Sequence, residues 1–211
     1  MFMTRSIAWL AATVLAFTAV GAQAQAATAP EALIKEVSTD VLDAVKADKT
    51  IQGGDLRKVI ALVDQKVLPY VNFQRMTASA VGRYWKQATP EQQKRLQEEF
   101  KLLLVRTYSG ALSQVSSEQT VELRPMRSTP TDNEVVVRTE IKGKGDPIQL
   151  DYRLEKAGDS WKIYDVNVLG VWLVENYRNS FAQEIGANGI DGLIAKMAER
   201  NKSAAAAGAK S

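Results

Sequence analysis

The chain has neither cysteine nor histidine among its 211 residues. The first absence excludes disulfides, thiolate metal sites, thiol nucleophiles and iron–sulfur clusters. The second removes the commonest general base, the usual zinc and haem ligand, and every nucleophile that relies on a histidine partner. Charge of one sign is also scarce. The 27 Lys and Arg against 24 Asp and Glu leave only +3, without the clustered basic stripe of a nucleic-acid binder, so no nucleic-acid partner is expected. No repeat and no Pro/Gly/Ser-rich linker divides residues 30–200, which points to one domain. With 45% apolar and 24% charged residues, that domain has enough material for a real core. The balance favours binding over chemistry, and neither a metal nor a cofactor is expected.

The two ends stand apart from the fold. Arg5 precedes an apolar run from Ile7 to Val20, followed by Ala22-Gln23-Ala24 and Ala24-Gln25-Ala26. This is the pattern of a cleaved secretory signal peptide over residues 1–26, with a run shorter than the about 20 residues of a membrane span. With no cysteine pairs, the expected compartment is a bacterial periplasm. Residues 27–200 form the expected single domain. Residues 201–211, with four alanines between Lys202 and Lys210, are expected to be a frayed, disordered tail.

Helical spacing dominates the first half. Pro30 at a first helical position leads Leu33, Val37, Val41 and Val45, and Gly53-Gly54 breaks that run. Leu56, Val59, Ile60 and Val63 repeat the pattern as far as Pro69. Asn72 is placed to cap a short helix ending at Gly82. Thr89-Pro90-Glu91-Gln92 combines an N-cap threonine, proline at N1 and glutamine at N3, a capping box that should open a long helix. Leu96, Phe100, Leu103, Leu104, Thr107, Ala111 and Leu112 share its apolar face.

Past Ser116 the period falls to two. Val135, Val137, Thr139 and Ile141 alternate with polar or outward residues, as do Leu150, Tyr152 and Leu154, the signature of an antiparallel sheet with one wet face. A further strand holds Val121 and Leu123. In the strand from Trp161 to Val168 the apolar phase slips between Ile163 and Val166, which a bulge near Tyr164-Asp165 would explain. After Gly170 helical spacing returns with Val171, Val174, Tyr177, Phe181 and Ile185, and a last helix carries Ile190, Leu193, Ile194 and Met197. Helices collected on one face of an antiparallel sheet define an α+β fold, here with a curved sheet of about four to five strands.

Catalytic signals are few. Gly143-Lys144-Gly145-Asp146 lacks phosphate-loop spacing and joins two strands. Glu98 and Glu99 are helix neighbours that point apart, a poor acid–base pair. Asp165 is either a buried carboxylate with a raised pKa or a bulge residue paired with an arginine. The aromatic and aliphatic residues exceed what two layers obviously need, and an apolar cavity between the layers would use the surplus.

Leu68-Pro69-Tyr70-Val71-Asn72-Phe73, Val81-Gly82-Arg83-Tyr84-Trp85, Ala88 to Gln92, Thr107-Tyr108, Trp161 to Val166, Gly170-Val171 and Asn176 to Phe181 together resemble the MlaC, or toluene-tolerance, family over residues 30–200. Trp172 departs from it, standing where the family has a small residue. The resemblance implies a nuclear-transport-factor-like fold enclosing an apolar cavity, and a periplasmic carrier of phospholipids that maintains outer-membrane lipid asymmetry. It implies exchange with an outer-membrane lipoprotein associated with porin and with an inner-membrane ABC transporter through its substrate-binding domain ring. No catalytic residue is expected. Inward positions then become candidates for an acyl pocket: Tyr70, Phe73, Met76, Phe100, Leu103, Leu104, Thr107, Val137, Thr139, Leu150, Tyr152, Val166, Val168, Leu173 and Tyr177. Arg83 and Arg178 are candidates for the head group. Because burial is worth about 0.8 kcal/mol per methylene, hiding two chains means covering on the order of 20 kcal/mol of hydrocarbon. That calls for a pocket near the upper end of, or beyond, the roughly 300 to 1,000 Å³ common for ligand sites. Two alternatives stay open: an exported enzyme using carboxylates, with Asp165 facing a cavity beside a second carboxylate or a tyrosine, and a small-molecule binding module with a smaller cavity.

Overall fold

A computed structural model describes residues 29–126 and 133–208; the expected signal peptide and residues 209–211 lie outside the described residues. Helices α1 (Pro30–Ala47), α2 (Lys49–Gln52), α3 (Leu56–Lys66), α4 (Phe73–Val81) and α5 (Pro90–Tyr108) precede five strands, β1 (Thr120–Arg124), β2 (Glu134–Lys142), β3 (Ile148–Ala157), β4 (Ser160–Val168) and β5 (Val171–Trp172), and α6 (Leu173–Gly208) follows.

Short polar side chains set the helix starts. The Asp48 carboxylate accepts from the Thr50 amide between α1 and α2, and Asp55 accepts from the amides of Arg57 and Lys58 at the head of α3. Asn72 accepts from the Arg75 amide to open α4, which stops at Gly82 with φ of 65°, a conformation that side chains disfavour. The Thr89–Gln92 capping box is complete. After Tyr108 the chain tightens into a 3₁₀ segment, Ser109–Gln114. The last helix is broken at Gly189, whose φ of 72° interrupts the helical backbone.

The five strands form one antiparallel meander in sequence order. The register shifts between Arg153 and Leu154, so Tyr164 has no opposite residue: this is the bulge that the apolar phase slip implied. Beyond it Trp161, Ile163, Val166 and Val168 all share a face with Leu150, Tyr152 and Leu154. Two outcomes differ from expectation. Val171 is not helical: Leu169 and Gly170 both take positive φ, folding the chain back so that Val171–Trp172 pairs with Asn167–Val168. Nor does the ordered chain end at residue 200. Helix α6 runs on to Gly208, and Asn201 is buried because its amide donates to the Glu99 carbonyl and carboxylate at 3.0 and 2.8 Å.

Three apolar clusters hold the layers together. In the first, α4, α5 and both halves of α6 meet around Phe100, whose ring stands edge-on to Tyr177 and Phe181 at 5.1 and 5.2 Å. A second joins Leu33, Ile34 and Val37 of α1 to Val135, Val137, Leu154, Trp161 and Ile163 of the sheet. A third gathers Val45, Ile51, Val59, Leu62 and Val105. Helix α1 also clasps the outer edge, where the Lys46 ammonium donates to the Gln119 carbonyl at 2.7 Å and that of Lys35 to Val121. At the other edge Val71 bridges Ile163 in parallel, and the Asn72 amide donates to the Ile163 carbonyl at 2.8 Å.

Asp165 is both buried and paired with an arginine, although the bulged residue is its neighbour Tyr164 and Asp165 itself stays in register with Arg153. Its carboxylate is fully buried and accepts from the amides of Val166 and Val174, at 2.9 and 3.1 Å, and from the Arg153 guanidinium at 3.0 Å. It thereby ties β4 to the first turn of α6. Burial pushes its pKa up, while the Val174 amide, Arg153 and the Val166 amide oppose that shift. A raised native value means that the folded protein holds this proton more tightly than the unfolded chain. The stabilisation from this group is therefore full at acid pH and falls as pH rises through the native value. Replacing Asp165 with alanine strands two buried amides and is expected to lower stability by about 2–4 kcal/mol in denaturant titrations. Against Asp165→Asn, which keeps an acceptor for those amides, the wild-type protein should gain relative stability on moving from neutral to acid pH. Parallel pH profiles would show an unperturbed carboxyl.

Candidate functional site

Between the sheet face and helices α3, α4 and α5 lies a cavity of about 370 Å³. Its walls come from separate parts of the chain. Helix α3 and the turn after it supply Val63, Val67 and Leu68; Val71, Phe73 and Met76 come from the bridge and α4. Helix α5 supplies Lys101, Leu104, Val105 and Tyr108, spaced so that one stripe faces the cavity. Ala111, Leu112, Gln114, Val115 and Gln119 follow from the segment after α5. Ile141, Ile148, Leu150, Val166 and Val168 are the sheet wall, and Leu173 of α6 completes the lining.

Of these 21 residues only Lys101, Tyr108, Gln114 and Gln119 carry a polar side-chain atom. The polar groups are largely turned to other tasks. The Gln119 side chain accepts from the Ser116 amide, that of Gln114 donates to Ser113, and the Lys101 ammonium pairs with Asp64 at 2.8 Å. Burial raises the Tyr108 phenol pKa, reinforced by Tyr177, so it stays neutral at physiological pH. The surface left for a ligand is hydrocarbon.

Seven of the fifteen acyl-pocket candidates line this cavity: Phe73, Met76, Leu104, Leu150, Val166, Val168 and Leu173. The other eight are placed elsewhere, for identifiable reasons. Phe100, Leu103 and Tyr177 are consumed by the helix–helix cluster. Val137 is fully buried against α1, and Tyr70 and Tyr152 pack at the border of that cluster, the Tyr152 hydroxyl 3.3 Å from Ser38. Thr139 is buried but turns its hydroxyl to the Leu150 carbonyl at 3.0 Å. Thr107 is exposed, its hydroxyl donating back to Leu103, because the cavity stripe of α5 is rotated one residue from the predicted face.

The two arginine candidates are not at the cavity either. Arg83 lies over the Tyr84 ring and donates to its hydroxyl at 2.9 Å, and Arg178 donates to the Ser79 carbonyl at 3.1 Å. Trp172, the departure from the family pattern, lies beneath the Arg153 guanidinium, 3.9 Å away, and does not alter the cavity wall. Asp165 is also absent from the lining, and no carboxylate lines the cavity among the described residues, so the arrangement needed by the carboxylate-enzyme alternative is not present there. At about 370 Å³ the cavity sits toward the lower end of the range for ligand sites, smaller than expected for two enclosed chains.

The family model described as MlaC protein matches residues 35–199. The chain belongs to the MlaC family. Among its relatives, an intermembrane phospholipid transport system binding protein MlaC from Haemophilus influenzae is 26% identical over 176 residues, covering 82% of each chain. A toluene tolerance protein from Pseudomonas putida is 26% identical over 186 residues, covering 85% of this chain and 86% of the relative. A phospholipid-binding protein from Ralstonia solanacearum, solved in complex with a phospholipid, superposes with a TM-score of 0.81 at 46% identity. That match covers 84% of this chain and 99% of the other.

Within this MlaC protein the wall and the brace can be separated by substitution. Tryptophan at Leu104 or Val168 projects into open space and is expected to leave the fold intact while cutting the uptake of an apolar fluorescent dye. Tryptophan at fully buried Val137 overpacks a closed cluster and should cost about 1–3 kcal/mol or more in denaturant titrations. Equal dye uptake by all three variants would place the apolar site elsewhere.

Proposed function

We propose that this MlaC-family chain is a periplasmic phospholipid carrier that takes acyl chains between the sheet and helices α3, α4 and α5. The observation that carries the proposal is the cavity wall, where 17 of 21 lining residues are wholly apolar. The R. solanacearum neighbour, 46% identical and solved with a phospholipid, supplies the class of ligand. Apolar wall and ligand class agree in what they demand, because acyl chains require exclusion of water and no reactive group. The work is transport by binding, not catalysis.

The size of the cavity adds a requirement. Two chains need more than the lower end of the usual pocket range, so loading must part α3, α4 and α5 from the sheet or leave chain ends outside. The wall suits such parting: Met76 is unbranched and adaptable, and the side chains that line the gap meet through dispersion contacts, individually weak, while the polar ties of α4 to the sheet, through Asn72 and Arg75, are confined to its first turn. The relative from H. influenzae is named for an intermembrane transport system, which supports exchange with both membranes. On this reading the partners are an inner-membrane ABC transporter complex with its substrate-binding domain ring and a porin-associated outer-membrane lipoprotein. Among the described residues no helix is long and apolar enough to cross a membrane.

Organic extraction and mass spectrometry of freshly purified, undelipidated protein test the proposal. Co-purifying two-chain phospholipid is the expected result, with its stoichiometry at least halved in Leu104→Trp and Val168→Trp. Protein free of phospholipid would overturn the carrier reading.

A further inference from the structure

One charged side chain stands in the otherwise uncharged wall. Lys101 lies on the same stripe of α5 as Leu104 and Val105, so its methylene stem is part of the apolar surface. Its ammonium reaches Asp64 of α3 at 2.8 Å, and the two side chains are 24% and 42% exposed. Asp64 in turn is next to Val63, another wall residue. The pair therefore marks a place where the hydrocarbon wall meets solvent between α3 and α5. An exposed ion pair of this kind contributes only about 0–1 kcal/mol to folding, so stability does not account for a lysine at that position.

Resting on the carrier reading, we propose that Lys101 anchors the phosphate of the bound lipid and that Asp64 sets the strength of that anchor. A diacyl phospholipid has its phosphodiester at the junction of hydrocarbon and water, the same junction that the Lys101 side chain spans. The ammonium has three donors, of which Asp64 engages one, so a phosphate oxygen can be added without first breaking the pair. Charge-assisted bonds to phosphate are the stronger kind, and the low-dielectric wall on one side strengthens them further. Asp64 works in the opposite direction. Its negative charge beside the ammonium repels the phosphate and neutralises part of the ammonium's charge, which keeps the anchor weak enough for release.

The test uses the delipidated full-length mature protein and vesicles of dioleoyl-phosphatidylglycerol carrying a minor share of dioleoylglycerol, which has the same chains and no phosphate. Bound lipids are quantified by mass spectrometry. The wild-type protein should take the phospholipid in preference. Lys101→Met, which keeps the apolar stem, should lower the phospholipid-to-diacylglycerol ratio about tenfold, the scale of one charge-assisted bond. Asp64→Asn should raise that ratio, and a large excess of inorganic phosphate should leave it unchanged, since the anchor holds a lipid phosphate and not the free ion. An unchanged ratio in Lys101→Met, or a ratio lowered by Asp64→Asn, overturns the anchor. Competition by inorganic phosphate would reassign Lys101 to a free-anion site. A wild-type protein that takes up neither lipid overturns the carrier reading itself, a result distinct from the loss of preference alone.

Discussion

A space walled by hydrocarbon tends to close, because apolar surfaces held apart forgo both dispersion contacts and the release of water. By the measured dependence of stability on cavity volume, a fully enclosed dry void of about 370 Å³ would cost on the order of 9 kcal/mol, an upper bound for a site that opens to solvent on one side. That is comparable with the whole stability of a typical domain. Everything around the cavity can be understood as bracing against this collapse. The Phe100–Tyr177–Phe181 aromatic group fixes α5 against α6 from behind. Helix α1 packs on Val135, Val137 and Leu154 and occupies the part of the sheet face that the cavity does not. The third cluster, with Val45, Val59 and Val105, ties α1 and α3 to α5. The gap stays open because its walls are spent elsewhere, and a ligand that fills it recovers the lost contacts.

The bulge at Tyr164 and the bridge at Val71 have linked effects. By adding one residue, the bulge returns Val166 and Val168 to the same face as Ile163, so β4 offers α1 its first half and the cavity its second. Where the strand changes role, the chain before α4 joins its free edge, and the Asn72 amide is held to the Ile163 carbonyl. Helix α4 consequently starts beside the sheet, with Phe73 and Met76 directed to the gap. On the other face Arg75 bonds to Glu134 and Glu155 and lies 3.7 Å over the Tyr164 ring. The irregular residue in the sheet is thus also the point where a helix is fastened across it.

This division explains what could be seen in the residues alone. Helix starts at Asn72 and Thr89, the period-two strands and the bulge were all legible, since each depends on neighbours within a few positions. The candidate site was legible as a face but not as a set of residues. Alternation identifies Val137, Thr139 and Leu150 equally as inward; only the position of α1, set by contacts about a hundred residues apart in sequence, decides that Val137 meets a helix and Leu150 meets a cavity. Helix α5 misled for a related reason. It is buried on two sides, with Leu96, Phe100 and Leu103 toward α6 and residues 101, 104, 105 and 108 toward the gap. A single apolar stripe merges these, and Lys101 is assigned by its charge to the wet side although its stem is wall. Asn201 was hidden in an alanine-rich segment for the same reason: its partner, Glu99, is far away in the chain.

The missing histidines and cysteines take on a different meaning beside this geometry. At about 0.8 kcal/mol per methylene, two buried acyl chains supply on the order of 20 kcal/mol, already near the practical ceiling for non-covalent binding. A carrier that must surrender its cargo gains nothing from further strong, directional contacts. What helps it is a wall whose attraction is non-directional, which lets chains slide, and polar groups already occupied by protein partners. The Gln114 and Gln119 side chains each have such a partner in Ser113 and Ser116, and at Lys101 the Asp64 carboxylate weakens the one charged contact that the wall offers. Where loading parts the gap, the work of opening it offsets part of the chain-burial energy, since the cavity is smaller than two enclosed chains require. The affinity available to the cargo is then the difference between hydrocarbon burial and the work of parting α3, α4 and α5 from the sheet. That difference can be tuned by packing alone, with no proton or metal chemistry.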